Sequence, residues 1–311
     1  MDMGMGTILI VGAGGRLGGV VARRLLAEGT PVRALSRTPA KLADLRALGA
    51  DVVAGDLRDP ASLARACAGV DAVLAAAHAF VGNAEGNVPA AVDDAGNRHL
   101  MDAARAAGVR HFVLMSILGT RADHPIDLFR CKHAAEQYLR ASGLSYTILR
   151  PTAFMEMWAE IIGEPISHGQ KALIFGRGVN PVNFVSVADV ARFAHLALAD
   201  PRARDRVIEI GGPENLSLLE MAATIERVTG RTTGRRHIPL PMMRVMGALA
   251  RPINPAFSRQ VRTGVLMDTQ DMTFDPGPTL AAFPMTLTRL EDVVRNQYTS
   301  AVAVDGARVG S

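Results

Sequence analysis

The stretch "ILIVGAGGRLGGVVARRLLAEG", residues 8–29, decides how the fold is read. Ile8, Leu9, Ile10, Val11 and Ala13 make a short apolar run of the kind found in a strand buried on both faces. Leu17, Val20, Val21 and Leu25 then recur at helical spacing, so Gly12, Gly15 and Gly18 stand at a strand-to-helix junction. The first N–H groups of such a helix lack intrahelical acceptors and its dipole is positive there, which suits a pyrophosphate if no side chain blocks the approach. Glycine at these positions removes the obstacle. Glycines alone also make tight turns, but a strand before them and a helix after them favour a dinucleotide cradle.

The rhythm of this opening continues. "PVRALS" reads as a second strand, followed by a helix with Thr38 as cap and Pro39 at its first position. "ADVVAGD" is a third strand, Asp59 and Pro60 open a helix ending near Gly69, and "DAVLAAA" is a fourth strand. A helix through "RHLMDAARAAG", a strand at "HFVLMS", a helix at "CKHAAEQYLRASG" and a strand at "YTILRP" follow. Strand and helix alternating in this way imply an α/β fold with a doubly wound parallel sheet, which binds ligands at the carboxyl ends of its strands.

Beyond Pro151 the alternation breaks. "PVNFVSVADVARFAHLALAD" and "RVIEIGG" read as a return to the sheet, with Ser186 and Asp189 as a capping box, and Ser217 with Glu220 as a second. The Met-rich segment "HIPLPMMRVMGALARPINP" is too short to span a bilayer and reads either as a helix over a substrate site or as core. The expected organisation is a dinucleotide-binding domain at 1–155 with a return segment at about 181–212. A substrate-binding region at 156–180 and 213–298 and a flexible tail at 299–311 complete it.

Composition narrows the function classes. At 311 residues, 49% hydrophobic and 21% charged, the chain is long enough for a core domain with a smaller attachment. Net charge is +4 and the arginines are scattered among acids, so nucleic-acid binding is not indicated. No apolar run reaches the ~18 residues of a membrane span and no signal peptide is recognisable, so membrane insertion is not expected and the cytoplasm is. Cys67 and Cys131, alone and inside helical patterns, support neither a disulfide framework nor a metal site.

The type of dinucleotide follows from the end of the second strand. NAD sites place an acidic residue there for the ribose hydroxyls, whereas this chain has Ser36 and Arg37. Arg37, Arg16 in the glycine loop and Lys41 in the next helix suit a 2′-phosphate instead. Two charge-assisted hydrogen bonds at ~1.5–3 kcal/mol each amount to roughly 10²- to 10⁴-fold preference for NADP(H). Asp56, after the third strand, either faces the adenine or caps its own loop.

With the glycine loop, "GDLRDP", "DAARAAGVRHFVLMS" and "YLRASGLSYTILRPTAFME" in order, residues 7–215 resemble the atypical short-chain dehydrogenase/reductases of the NmrA-like group. The resemblance implies a Rossmann domain and NADPH as cofactor. The expected cofactor contacts are Gly12, Gly14, Gly15, Arg16, Leu17, Gly18, Ser36, Arg37, Lys41, Asp56, Leu57, Ala75, Ala76, Ala77, Ser116, Lys132, Pro151 and Phe154. Members of that group include quinone and imine reductases, isoflavone-type reductases and NADPH-sensing regulators, so the reaction is less constrained than the fold.

The resemblance also locates a departure. The wider family's acid is a Tyr four residues before a Lys; here Lys132 has the lysine's place, but Leu128 stands where the Tyr should be. Ser116 matches the family serine and is expected either to hydrogen-bond a substrate oxygen or merely to end its strand. Lys132 is expected to bind the nicotinamide ribose, with or without donating a proton; burial beside oxidised nicotinamide would favour proton release. Among His78, His99, His124 and His133, His78 lies nearest the expected site, and each reads first as packed or solvated. Met155, Glu156, Met157 and Trp158 read as an apolar wall for a flat substrate, or as ordinary core.

The resulting expectation is an NADPH-dependent reductase of a small apolar or aromatic carbonyl, quinone, enone or imine, with Lys132 and Ser116 as candidate catalytic residues, acting as monomer or homodimer. The missing tyrosine favours the alternative of a non-catalytic NADPH sensor. A structural or assembly subunit that holds the nucleotide permanently is the third reading.

Overall fold

The computed structural model describes residues 6–80 and 86–306. The chain divides into two compact units, residues 1–151 with 190–210, and residues 152–189 with 211–311.

In the first unit strands and helices alternate as β1 (Ile8–Val11), α1 (Arg16–Ala27), β2 (Val32–Ser36), α2 (Ala43–Ala47), β3 (Asp51–Ala54), α3 (Pro60–Cys67), β4 (Ala72–Ala75), α4 (Asn97–Ala106), β5 (His111–Met115), α5 (Asp127–Ala141) and β6 (Tyr146–Pro151). β10 (Arg206–Ile210) completes a seven-stranded sheet of order β10-β6-β5-β4-β1-β2-β3, parallel throughout. The chain starts at β1, winds outward through β2 and β3, then crosses back to β4 on β1's other side. That reversal leaves a crevice between the carboxyl ends of β1 and β4, the place where such sheets bind ligands. β1, β4 and β5 are buried along their whole length, which is why they read as unbroken apolar runs.

Local signals explain most boundaries. Asp59 caps α3 by accepting the Ala61 N–H, with Pro60 at the first helical position. Thr38 stands at the N-cap with Pro39 first in the element, but its side chain makes no capping bond; the Ser36 hydroxyl accepts the Thr38 N–H, and the element is a 3₁₀ turn, Pro39–Leu42, before the short α2. α4 is preceded by a π-helical turn, Ala90–Gly96, which the sequence pattern did not signal.

The second unit holds β7 (Ala153–Phe154), α6 (Met155–Ser167), β8 (Ala172–Phe175), β9 (Val182–Val185), β11 (Asn215–Leu216), α8 (Leu218–Thr229), β12 (Arg235–Ile238), α9 (Leu240–Ala250), α10 (Pro255–Thr269), α11 (Gly277–Ala282) and α12 (Leu290–Gly306), and α7 (Val187–Ala199) begins here. β11, β9 and β7 form one small sheet, and β12 pairs with β8 in parallel. Of the expected return at 181–212, residues 190–210 belong to the first unit, and β10 is the strand that joins its sheet. β6 is flanked by β5 and β10, so it has no free edge for β9, which pairs with β7 and β11.

Buried Asn183 in β9 fixes that arrangement: its Oδ1 accepts the Gly212 N–H (2.8 Å) and its Nδ2 donates to the Gly212 carbonyl (3.1 Å). Ser186 caps α7 through the Asp189 N–H, while the Asp189 carboxylate accepts from the Thr288 N–H and hydroxyl. Ser217 and Glu220 form the full reciprocal box at α8. α12, whose Leu290, Val293 and Val294 are buried, runs to Gly306, and residues 307–311 of the expected tail lie outside the described residues.

Candidate functional site

The turn from β1 to α1 is built around Gly12, whose φ of +93° favours glycine. A Cβ at this position would lie 2.7 Å from the Ala77 N, so the turn and the chain leaving β4 approach too closely for any side chain. At Gly18 a Cβ would collide with the Gly12 carbonyl, so the third glycine lets α1 start tight against β1. Gly14, Gly15 and Arg16 are exposed and Leu17 is half-buried. No side chain caps α1 and no acid occupies its first turn. The result is an uncapped helix N-terminus beside a turn that admits only glycine at Gly12 and Gly18, and it fits a pyrophosphate.

At the end of β2, Ser36 is half-buried, while Arg37 and, further on, Lys41 are exposed. Asp56 is engaged by its neighbour: Oδ1 accepts from the Arg58 N–H (2.9 Å), and Arg58 pairs with both carboxylate oxygens. The Arg58 hydrogen bonds hold this carboxyl below its ordinary range, with Arg37 adding to the effect. Of the two roles open for Asp56, the loop cap is the one that the geometry displays. Leu57 is a core residue; Ala75 is buried, and the Ala76 N–H donates to the Val11 carbonyl.

Past β5 and along α5 the site is more tightly bonded than the sequence suggested. Lys132 is buried, with its ammonium 2.8 Å from the Met115 carbonyl and 3.0 Å from Asp93 Oδ1. Asp93, in the π-helical turn and fully buried, also accepts the Ala79 N–H through Oδ2 (2.9 Å). Lys132 thus joins β5 to the segment after β4. The ammonium expected at the nicotinamide ribose is thus engaged by a backbone carbonyl and a buried carboxylate.

Ser116 is similarly committed. Its hydroxyl donates to Glu136 Oε1 (2.5 Å), which also accepts from the Thr120 hydroxyl (3.2 Å) and Arg150 Nε (2.9 Å). Arg150 Nη2 donates to Glu136 Oε2, and Nη1 reaches Glu209. Glu136 is fully buried, one helical turn after Lys132 on α5. Ser116 keeps lone pairs to accept a hydrogen bond, while its own proton points at Glu136. Asp93, Glu136 and Arg150 are the residues that sequence reasoning missed. Their one signal was charge inside otherwise apolar elements, as in "YTILRP", since a buried charge requires a partner.

His78, just past β4, is exposed at the surface, with protein atoms crowding its ring. Its Nδ1 accepts the Phe80 N–H (3.2 Å). That desolvation, reinforced by the Lys132 charge and opposed by Asp93, holds its pKa below the usual imidazole range. His124 stacks on Phe129 with ring centroids 4.0 Å apart, and His99 lies near the Leu57 carbonyl. Burial pushes both cysteine thiols up to about 11, so neither is a nucleophile at neutral pH.

Pro151 is buried, its carbonyl accepting the Leu118 N–H (3.0 Å). Phe154 is half-buried in β7 of the second unit. Met155 and Trp158 are core there, Trp158 lying edge-on to Phe175 (5.8 Å) and Phe184 (6.4 Å). Core packing, not a substrate wall, is therefore what their side chains do. In the Met-rich segment, α9 buries Met243 and Gly247 and leaves much of its surface exposed.

The sequence of the NAD(P)H-binding family matches residues 12–201. The NAD(P)H azoreductase of Xenophilus azovorans is 33% identical over 228 residues, covering 72% of this chain and 74% of that one. The photosystem II assembly factor Ycf39 of Cyanophora paradoxa is 29% identical over 237 residues, covering 76% and 73%. An NADPH-dependent quinone oxidoreductase of Escherichia coli, solved with NADPH, superposes with a TM-score of 0.75 at 23% identity over 94% of this chain and 99% of that one, a likeness of fold. The family match, the strand order and the glycine turn agree: this chain belongs to the NAD(P)H-binding, NmrA-like family of atypical short-chain dehydrogenase/reductases.

Proposed function

We propose that the protein is an NADPH-dependent reductase of a small apolar carbonyl, quinone, enone or imine. The observation that carries the reading is the open glycine turn at the β1/β4 crevice, with exposed Arg37 and Lys41 and no acidic residue closing β2. When bound, NADPH supplies a hydride for an electron-poor carbon. The uncapped N–H groups of α1 hold the pyrophosphate, with exposed Gly14 and Gly15 keeping the approach clear and Gly12 and Gly18 keeping the turn tight. Arg37, Lys41 and Arg16 take the 2′-phosphate. Ala75 to Ala77, Ser116 and Pro151 flank the reacting end, where Ser116 accepts a hydrogen bond and Lys132 fixes the backbone around it. The proton that completes the reduction comes from water, since the protons of Lys132 and Ser116 are held by Asp93, the Met115 carbonyl and Glu136. Similarity to an azoreductase supports a reductase.

The same engaged groups, with Leu128 in place of a tyrosine, favour a second reading: a protein that binds NADPH without turnover. Similarity to an assembly factor supports it. The deciding experiment follows NADPH absorbance against a panel of quinones, enones, imines and azo dyes. Oxidation above background with stoichiometric reduced product is expected. Tight NADPH binding with no oxidation across the panel would retire the reductase.

A further inference from the structure

Met242, Val245 and Leu249 share one face of α9 by their spacing, and exposed Ile253 and Phe257 follow in the turn after it and in the first turn of α10. They are 47%, 57%, 69%, 86% and 39% exposed, five of the eight large exposed apolar residues among the described residues. The buried face of α9 is separate. Met243 and Gly247 turn inward, where the Ser258 hydroxyl donates to the Gly247 carbonyl (2.6 Å) and ties α9 to α10. The stripe is therefore left over after the helix pair has packed. A contiguous exposed apolar surface on a folded protein marks an interaction site.

The charges around it identify the partner. From residue 227 to residue 267 the sequence has no Asp or Glu, but it has arginines at 227, 231, 235, 236, 244, 251, 259 and 262. Arg235 is held by Glu226, and Arg259 is buried. Arg231, Arg236, Arg244 and Arg251 are exposed. Arg244 and Arg251, two turns apart, line one edge of the exposed side of α9, and the apolar residues line the other edge. We propose that this face docks on an anionic lipid bilayer, α9 lying in the plane of the headgroups with Leu249 and Ile253 among the acyl chains and Arg244 and Arg251 at the phosphates.

An exposed apolar stripe on a segment whose charged residues are all arginines is what such a surface selects. Arginine can bury its stem beside the stripe and keep its guanidinium among phosphates. A second copy of the chain fits less well, since a symmetric pairing sets the arginine rows of the two copies against each other. Docking is peripheral: among the described residues no helix is long and apolar enough to cross a membrane. The inference does not depend on the reductase reading.

The test is sedimentation of the full chain with vesicles of phosphatidylcholine alone or mixed with phosphatidylglycerol, at low and high salt. Binding is expected only with phosphatidylglycerol, and it weakens as salt rises. Leu249→Asp with Ile253→Asp, and separately Arg244→Glu with Arg251→Glu, each lower the bound fraction by about tenfold or more. Unchanged NADPH affinity confirms that these surface variants are folded. Binding indifferent to phosphatidylglycerol, binding that survives both double variants, or no binding at all overturns the proposal. So does a wild-type dimer that the apolar double variant converts to monomer without any vesicle association, which assigns the face to a second copy.

Discussion

Lys132 Nζ lies 3.0 Å from Asp93 Oδ1, with both side chains shut away from solvent. The ion pair joins the lysine of α5, which the family resemblance places at the nicotinamide, to the π-helical turn before α4. Asp93 in turn holds the Ala79 N–H, so one carboxylate couples two segments bordering the carboxyl end of the sheet.

Lys132→Met leaves Asp93 buried without its cation and is expected to destabilise the fold by about 3–5 kcal/mol. Lys132→Met with Asp93→Asn recovers part of that loss. Urea midpoints of the three proteins check it; a single variant as stable as wild type would mean that the pair contributes nothing to the fold.

Arg37→Ala should erase most of the preference for NADPH over NADH. Calorimetric titration of wild type is expected to give NADPH at least about tenfold the affinity, in keeping with one or two charge-assisted bonds to the 2′-phosphate. An Arg37→Ala protein that keeps the preference would move the phosphate site elsewhere.

Gly12→Ala combines a positive φ with a Cβ 2.7 Å from the Ala77 backbone nitrogen. The backbone strain alone costs about 1–2 kcal/mol, and relieving the clash opens the turn. NADPH binding should fall below detection while the protein remains folded by circular dichroism.

Glu226 accepts both arms of the Arg235 guanidinium (2.7 and 2.8 Å) and the Thr233 N–H, and this holds its carboxyl at about 2 in place of an ordinary 4.5. A depressed folded pKa stabilises above the unfolded value. The contribution is therefore complete above pH 4.5 and is lost as pH falls toward 2. Glu226→Gln should lower stability at neutral pH and flatten the acid limb between those values, as read from urea midpoints against pH.

Trp158→Ala empties an edge-packed position between Phe175 and Phe184 and should cost about 3–5 kcal/mol. Wild-type emission, from the one tryptophan of the chain, should be that of a buried indole and shift red on unfolding.

The sequence by itself determined the parallel sheet of the first unit and the position of the glycine turn. These rest on local chemistry: buried strands need unbroken apolar runs, and a backbone that another backbone must approach closely admits only glycine, as at Gly12 and Gly18. The capping of α3 by Asp59 and of α8 by Ser217 with Glu220 was legible for the same reason, the partners lying within one turn of each other. Tertiary structure alone decided what surrounds the candidate site. Asp93 meets Lys132 across 39 positions of chain, and Glu136 meets Arg150 across two different elements. It also sent Val182–Val185 away from the main sheet, because the edge of β6 was already taken by β10, and it turned the Met242–Phe257 stripe outward. Local pattern reports which face a residue prefers. Which residue waits on the other side of a buried charge is settled only when distant segments close on it.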